Sequence, residues 1–166
     1  HVPELFILEK LRVRLEKIGC KLVGIPQISL KTCFDKVETA QFCAEHGLTH
    51  PRIWLSNEVL EESGLPWPLI AKNRFGQGSK GQSILYCKDE LENLLLREKS
   101  GENYIFQEFI QGQEYGIDVV NNFNRKYEGI LVRRKIAMRN GETDVAVTVD
   151  AEPFQDIGRL LGTQLR

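Results

Sequence analysis

The stretch "LIAKNRFGQGSKGQSILYC" (69–87) holds the residues best suited to chemistry: Lys72, then Gly76, Gly78 and Gly81 in Gly-x-Gly-x-x-Gly spacing, with Ser79 among them. Glycines so spaced let successive backbone N–H groups crowd a phosphate. An ammonium at the entrance supplies the opposing charge. Arg74 and Lys80 lie on the same loop and read equally well as solvated or as liganding.

What flanks the glycines narrows the choice. A dinucleotide-binding turn leads from its last glycine into a helix, with an acid about 20 residues further on. Here "QSILYC" follows and reads as a strand. A nucleotide-triphosphatase loop needs Gly-Lys-Ser/Thr entering a helix, and "GSKGQS" does not supply it. A kinase loop precedes its lysine, whereas Lys72 comes first and no His-Arg-Asp or Asp-Phe-Gly follows. What remains is a glycine-rich flap between two antiparallel strands. A glycine hairpin without a ligand stays open for the loop alone.

The elements that must position this loop are legible from patterning. Residues 4–18 predict a helix from Leu8, Leu11, Leu15 and Ile18, stopped by Gly19, and "CKLVGI" (20–25) a short strand. Asp35 and Glu38 form a capping-box pattern that opens a helix closed by Gly47. "RIWL" (52–55) predicts a strand, residues 56–63 a small helix, "LIAK" (69–72) and "SILYC" (83–87) strands. Asp89 is expected to cap a helix facing inward through Leu91, Leu94 and Leu95. Beyond residue 100 come strands at 104–110, 115–122, 126–139 and 144–150, with turns at Gly112, Asn122–Asn124 and Asn140–Gly141. Pro153 begins a last helix. The class is α+β with two sheets.

Composition excludes some roles. The 166 residues carry 22 basic and 23 acidic side chains, a net charge of −1, which speaks against nucleic acid as the main partner. No run is apolar enough to span a membrane, and no signal peptide opens the chain. Cys20, Cys33, Cys43 and Cys87 form no Cys-x-x-Cys and are read as reduced, mostly buried thiols of a cytoplasmic protein. The chain opens on a helix without Met and stops inside another, so it reads as a fragment.

Taken in order, Asp35-Lys36 opening a helix, Lys72 ending a strand, the flap at 76–81 and "YIFQEFIQGQEYGIDVV" (104–120) resemble the ATP-grasp superfamily. The likeness is to members similar to the large chain of carbamoyl phosphate synthase and to carboxylate–amine ligases, and it runs from about residue 33 to the chain end. The resemblance implies two small α+β subdomains with a nucleotide cleft between them. Residues 1–32 would be the tail of a preceding Rossmann-like domain, 33–103 the N-terminal subdomain with the flap, and 104–166 the first part of the C-terminal subdomain.

It also implies roles. Lys36 and Lys72 would meet ATP phosphates, and Gly76, Gly78, Ser79 and Gly81 would cover them. Glu108 would offer its carbonyl and Ile110 its N–H to adenine, with Gln107 accepting from N6 and Phe109 and Ile70 walling the base; core packing is the equal alternative for these two. Glu114 would take the ribose hydroxyls. Arg133 and Lys135, on one face of a strand, would hold a carboxylate or the γ-phosphate; a solvated edge strand is the alternative. Magnesium is expected with ATP, its ligands beyond the chain end. The parent would form carbon–nitrogen bonds from small-molecule carboxylate and nucleophile substrates, an oligomer being compatible, and this chain alone would be inactive. The alternative is a non-catalytic nucleotide-binding or regulatory module.

Overall fold

Leu69 and Ala71 are fully buried while Ile70 between them is only half-buried, and that two-residue period makes this segment a strand. The computed structural model describes residues 2–79, 81–97, 103–139 and 141–165. Lys80 and Asn140, expected on the flap and in a turn, lie outside the described residues.

The order of elements is α1 (Val2–Lys17), α2 (Gln27–Phe34), α3 (Lys36–Glu45), β1 (Ile53–Leu55), α4 (Ser56–Glu61), β2 (Leu69–Asn73), β3 (Ser83–Leu85), α5 (Lys88–Arg97), β4 (Tyr104–Glu108), β5 (Tyr115–Asn121), β6 (Tyr127–Arg139), β7 (Glu142–Thr148), a 3₁₀ turn (Glu152–Phe154) and α6 (Gln155–Gln164). Helices and strands are mixed in two sheets, as the α+β reading requires. The chain divides into two compact units: one holds His1–Phe34, Gln113–Ala137 and Val145–Arg166, the other Asp35–Gly112 and Met138–Asp144.

The second unit is built on a four-stranded sheet in the order β1-β4-β2-β3. β2 and β3 pair antiparallel through Ile70 and Ile84, so the glycine segment between them is a hairpin connection, as expected. β4 runs antiparallel to both β1 and β2 and is central. One face of the sheet packs Leu69, Ala71, Leu85 and Phe106 against Trp54, Val59, Leu91 and Leu94. Fully burying a side chain such as Phe106 or Leu69 stabilises by about 1.5–3 kcal/mol. α5 covers this core through Leu91 and Leu94, with Leu95 beside them. Its first residue is Lys88, so Asp89 sits inside the first turn rather than at the cap.

The first unit carries β5 and the larger parts of β6 and β7, which form a three-stranded sheet in the order β5-β6-β7. α6 lies close on it because Gly158 and Gly162 leave room. A Cβ on Gly158 would stand 2.4 Å from Ile130 Cγ2, and one on Gly162 2.5 Å from the Tyr127 ring. α1 meets α2 through an edge-on contact of Phe6 with Phe34, ring centroids 5.6 Å apart. Three expectations fail in this unit and its neighbour. Residues 20–25 form no strand: the Arg12 guanidinium, itself paired with Glu9, donates instead to the carbonyls of Leu22 and Gly24 at 3.0 and 3.3 Å. α2 was not foreseen, because Pro26 precedes it with no Ser, Thr, Asp or Asn to cap it. The cysteines are free but not mostly buried. Cys20, Cys33 and Cys87 are exposed, Cys87 because β3 ends two residues earlier.

Candidate nucleotide site

Strand alternation sorts β2 into two faces: Leu69 and Ala71 enter the core, while Ile70 and Lys72 point to the other side. On β4 the residue opposite Ile70 is Gln107, and Lys72 lies opposite Ile105. Lys72 and Gln107 meet on that face, where Lys72 Nζ donates to Gln107 Oε1 at 2.7 Å. Gln107 is almost wholly buried. Its side-chain oxygen, expected to accept from adenine N6, therefore holds the lysine.

α3 delivers the second lysine. Asp35 is its N-cap and accepts from the Val37 N–H at 3.0 Å, which fixes where the helix begins and points its first residue, Lys36. Lys36 Nζ donates to three backbone carbonyls, those of Asn73, Arg74 and Gly76, at 2.9, 3.3 and 2.7 Å. That uses all three ammonium hydrogens on the root of the flap. Burial pushes the Lys36 pKa down, the charge of Lys72 adds to the effect, and Asp35 opposes it. As placed, Lys36 ties down the flap root, with the charge of Lys72 close enough to affect it.

The flap itself leaves β2 through a tight turn. The Asn73 side chain accepts from the Phe75 N–H at 3.0 Å, and its carbonyl accepts from the Gly76 N–H at 3.1 Å. Gly76 is required by space, since a Cβ there would approach Asn73 Cβ to 2.9 Å. Gly78, Ser79 and Gly81 all have left-handed backbone, with φ of 62°, 55° and 69°. Such backbone suits glycine and is strained for Ser79, so the loop's course depends on its glycines. Arg74 proves to be neither solvated nor aimed at a ligand: its guanidinium grips both oxygens of Asp35 at 2.7 and 2.6 Å.

At the far end of β4 the backbone of Gln107 is paired on both sides, with Ile53 and with Ile70. The Glu108 N–H reaches the Arg52 carbonyl at 3.3 Å and the Phe109 N–H the Pro68 carbonyl at 3.1 Å. Ile110 lies past the last ladder residue and is 64% exposed. Of the stretch expected to face adenine, Glu108 and Phe109 thus give their N–H groups to other segments, and Ile110 stands exposed beyond the ladder.

Glu114, Arg133 and Lys135 belong to the other unit. There Lys135 Nζ pairs with Glu114 Oε2 at 3.0 Å, and the Lys135 N–H donates to the Glu114 carbonyl at 2.9 Å. Arg133 pairs with Asp118 at 2.6 Å. Each expected substrate cation is thus matched to an acid. β6 is the middle strand of its sheet, so the edge-strand alternative does not hold. Among the described residues no three His, Cys, Asp or Glu side chains stand together as a metal site. Nor is any described helix long and apolar enough to cross a membrane.

A profile of the ATP-grasp domain matches residues 33–154, and the chain belongs to the ATP-grasp family. Among curated proteins it is similar to beta-citrylglutamate synthase B of Danio rerio, 31% identical over 114 residues, covering 63% of this chain and 27% of that one. It is similar to N-acetylaspartylglutamate synthase A of Mus musculus at 29% over 112 residues, covering 63% and 29%. The chain thus spans under a third of the length of these relatives. Of solved structures, the biotin carboxylase domain of Hydrogenobacter thermophilus 2-oxoglutarate carboxylase superposes with a TM-score of 0.72 at 16% identity, over 96% of this chain and 39% of that one. The L-amino acid ligase of Bacillus licheniformis gives 0.67 at 17%, over 98% and 42%. These likenesses establish the fold.

The sequence reading missed the Asp35–Arg74 pair. Its partners are 39 residues apart, and no local pattern marks a salt bridge at that separation.

Proposed function

We propose that this chain is the ATP-binding region of a ligase that activates a carboxylate as an acyl phosphate for attack by an amine or similar nucleophile. One observation carries the reading: Lys36 Nζ sits on the carbonyls of Asn73, Arg74 and Gly76 while Lys72 lies near the end of the strand that leads into them, so two cations far apart in sequence converge at the root of the glycine flap and repel one another. Polyphosphate binding relieves that repulsion.

In this reading Lys72 meets the phosphates, Lys36 adds its charge from the flap root, the N–H groups of Gly78, Ser79 and Gly81 close over them, and Ile70 and Phe109 flank the base. The Glu108 carbonyl and the Ile110 N–H read adenine. The synthase and ligase names of the relatives support amide-bond formation as the reaction class. The neighbour crystallised with MgADP supports a nucleotide partner. Magnesium would bring charge neutralisation at the β- and γ-phosphates, but the described residues do not form a site for it, so no step is derived through it.

The test is calorimetric titration of the chain with ATP, adenosine and inorganic tripolyphosphate, followed by ADP release in the intact protein with amino acids and small carboxylates. ATP binding with substrate-dependent ADP release is expected. Binding without any turnover would favour a regulatory nucleotide module, and no binding of any of the three would overturn the site.

A further inference from the structure

Arg74 stands where β2 ends and the glycine segment begins, and the fold fixes it from three sides. Its N–H donates to the Asn103 carbonyl at 2.6 Å, and its own carbonyl accepts from the Lys36 N–H and from Lys36 Nζ, each at 3.3 Å. Its guanidinium forks onto Asp35, Nε to Oδ1 at 2.7 Å and Nη2 to Oδ2 at 2.6 Å. The two side chains are 27% and 7% exposed, so water screens this pair little. The same Asp35 carboxylate caps α3, which presents Lys36. Immediately beyond, Gly78, Ser79 and Gly81 adopt left-handed backbone, a run of residues chosen for freedom rather than for pairing.

We infer that Arg74, forked onto Asp35, is a positioning residue that sets the root of the flap at a fixed place relative to Lys36. A bidentate guanidinium–carboxylate pair suits this task, because it fixes orientation as well as distance. Arg74 does not touch the nucleotide. It ensures that the N–H groups of Gly78, Ser79 and Gly81 and the charges of the lysines act on one set of phosphates. The consequence for binding rests on the nucleotide reading above; the anchoring itself does not.

Hydrogen–deuterium exchange on the intact chain without nucleotide separates the two. Asp35→Asn keeps an acceptor for the α3 cap while removing the charge, Arg74→Gln removes the fork, and Arg74→Lys keeps the charge without it. Exchange within 75–82 is expected to rise roughly tenfold in the first two variants, the size set by losing one charge-assisted contact, and to recover in part in Arg74→Lys. β2 and β4 should stay protected. Affinity for ATP and for tripolyphosphate should fall about tenfold in the first two variants while adenosine affinity holds. Unchanged flap exchange, or a rise spread over the whole sheet, would overturn the anchor. Adenosine affinity falling as much as ATP would overturn the positioning role. A loosened flap in a chain that binds neither ATP nor tripolyphosphate would uphold the anchor and sink the nucleotide reading.

Discussion

Lys72 Nζ donates to Gln107 Oε1 at 2.7 Å across the β2–β4 pair, and Gln107 is only 8% exposed. The glutamine thus holds the lysine in place, and its effect on nucleotide should pass through phosphate rather than base. Gln107→Leu is expected to weaken ATP and GTP alike, by about tenfold, as loss of one hydrogen bond to a charged group implies. Competition titration with both nucleotides checks it. A selective loss for ATP would return Gln107 to the adenine edge.

Lys36 adds a pH dependence. Burial, and then the charge of Lys72, holds its pKa below the ordinary 10.5. A lysine with a lowered pKa gives up its proton earlier as pH rises, so tripolyphosphate affinity should begin to decline at a pH below 10.5. Lys36→Met should remove that limb and lower affinity at neutral pH. Titration at stepped pH reads both effects.

Asp35 bears on stability from the acid side. Burial pushes its carboxyl pKa up, but the hydrogen bonds from Arg74 and Val37 and the charge of Arg74 outweigh this, leaving it below the usual 3.8. A carboxylate lowered by folding stabilises at pH values above its unfolded pKa, and that contribution disappears as pH falls through the folded one. Asp35→Asn should therefore lose about 1.5–3 kcal/mol near neutrality. The gap to wild type should close only at pH values below 3.8. Urea unfolding at several pH values measures it.

Gly141 touches the flap. It has φ of +78°, and a Cβ there would fall 2.1 Å from the Gly78 carbonyl oxygen and 2.7 Å from Ser79 Cβ. Gly141→Ala should displace the flap, seen as faster amide exchange at 76–79, with the core around Leu69 and Phe106 unchanged.

Gly162 tests packing in the other unit. Alanine gains about 1 kcal/mol of helix propensity there. Its Cβ, however, would lie 2.5 Å from the Tyr127 ring and 2.9 Å from Asn121 Oδ1. Overpacking of this kind costs typically about 1–3 kcal/mol, so Gly162→Ala should be neutral to destabilising and Gly162→Leu clearly destabilising. Thermal denaturation decides.

Much of the architecture was legible in the sequence because its signals are local. The Leu69–Lys72 alternation, the Asp35 cap and the Leu91/Leu94 spacing each need only a few neighbouring residues. The flap was legible for the same reason: glycine spacing and the strand on either side identify it. Failures came where distant parts decide. Residues 20–25 look like a strand, but Arg12 takes the carbonyls that a ladder would use. Gly158 and Gly162 look unfavourable in a helix until Ile130 and Tyr127 are placed against them. Arg74 looked like a free flap cation because nothing near it in sequence reveals Asp35. The three carbonyl partners of Lys36, spread over residues 73–76, could likewise be found only in three dimensions.

The most direct test is calorimetry of ATP, tripolyphosphate and adenosine against wild type and Lys72→Met. The account predicts that wild type binds ATP more tightly than either half, and that Lys72→Met loses most affinity for ATP and tripolyphosphate while retaining that for adenosine. Equal binding of all three by wild type and Lys72→Met would contradict it.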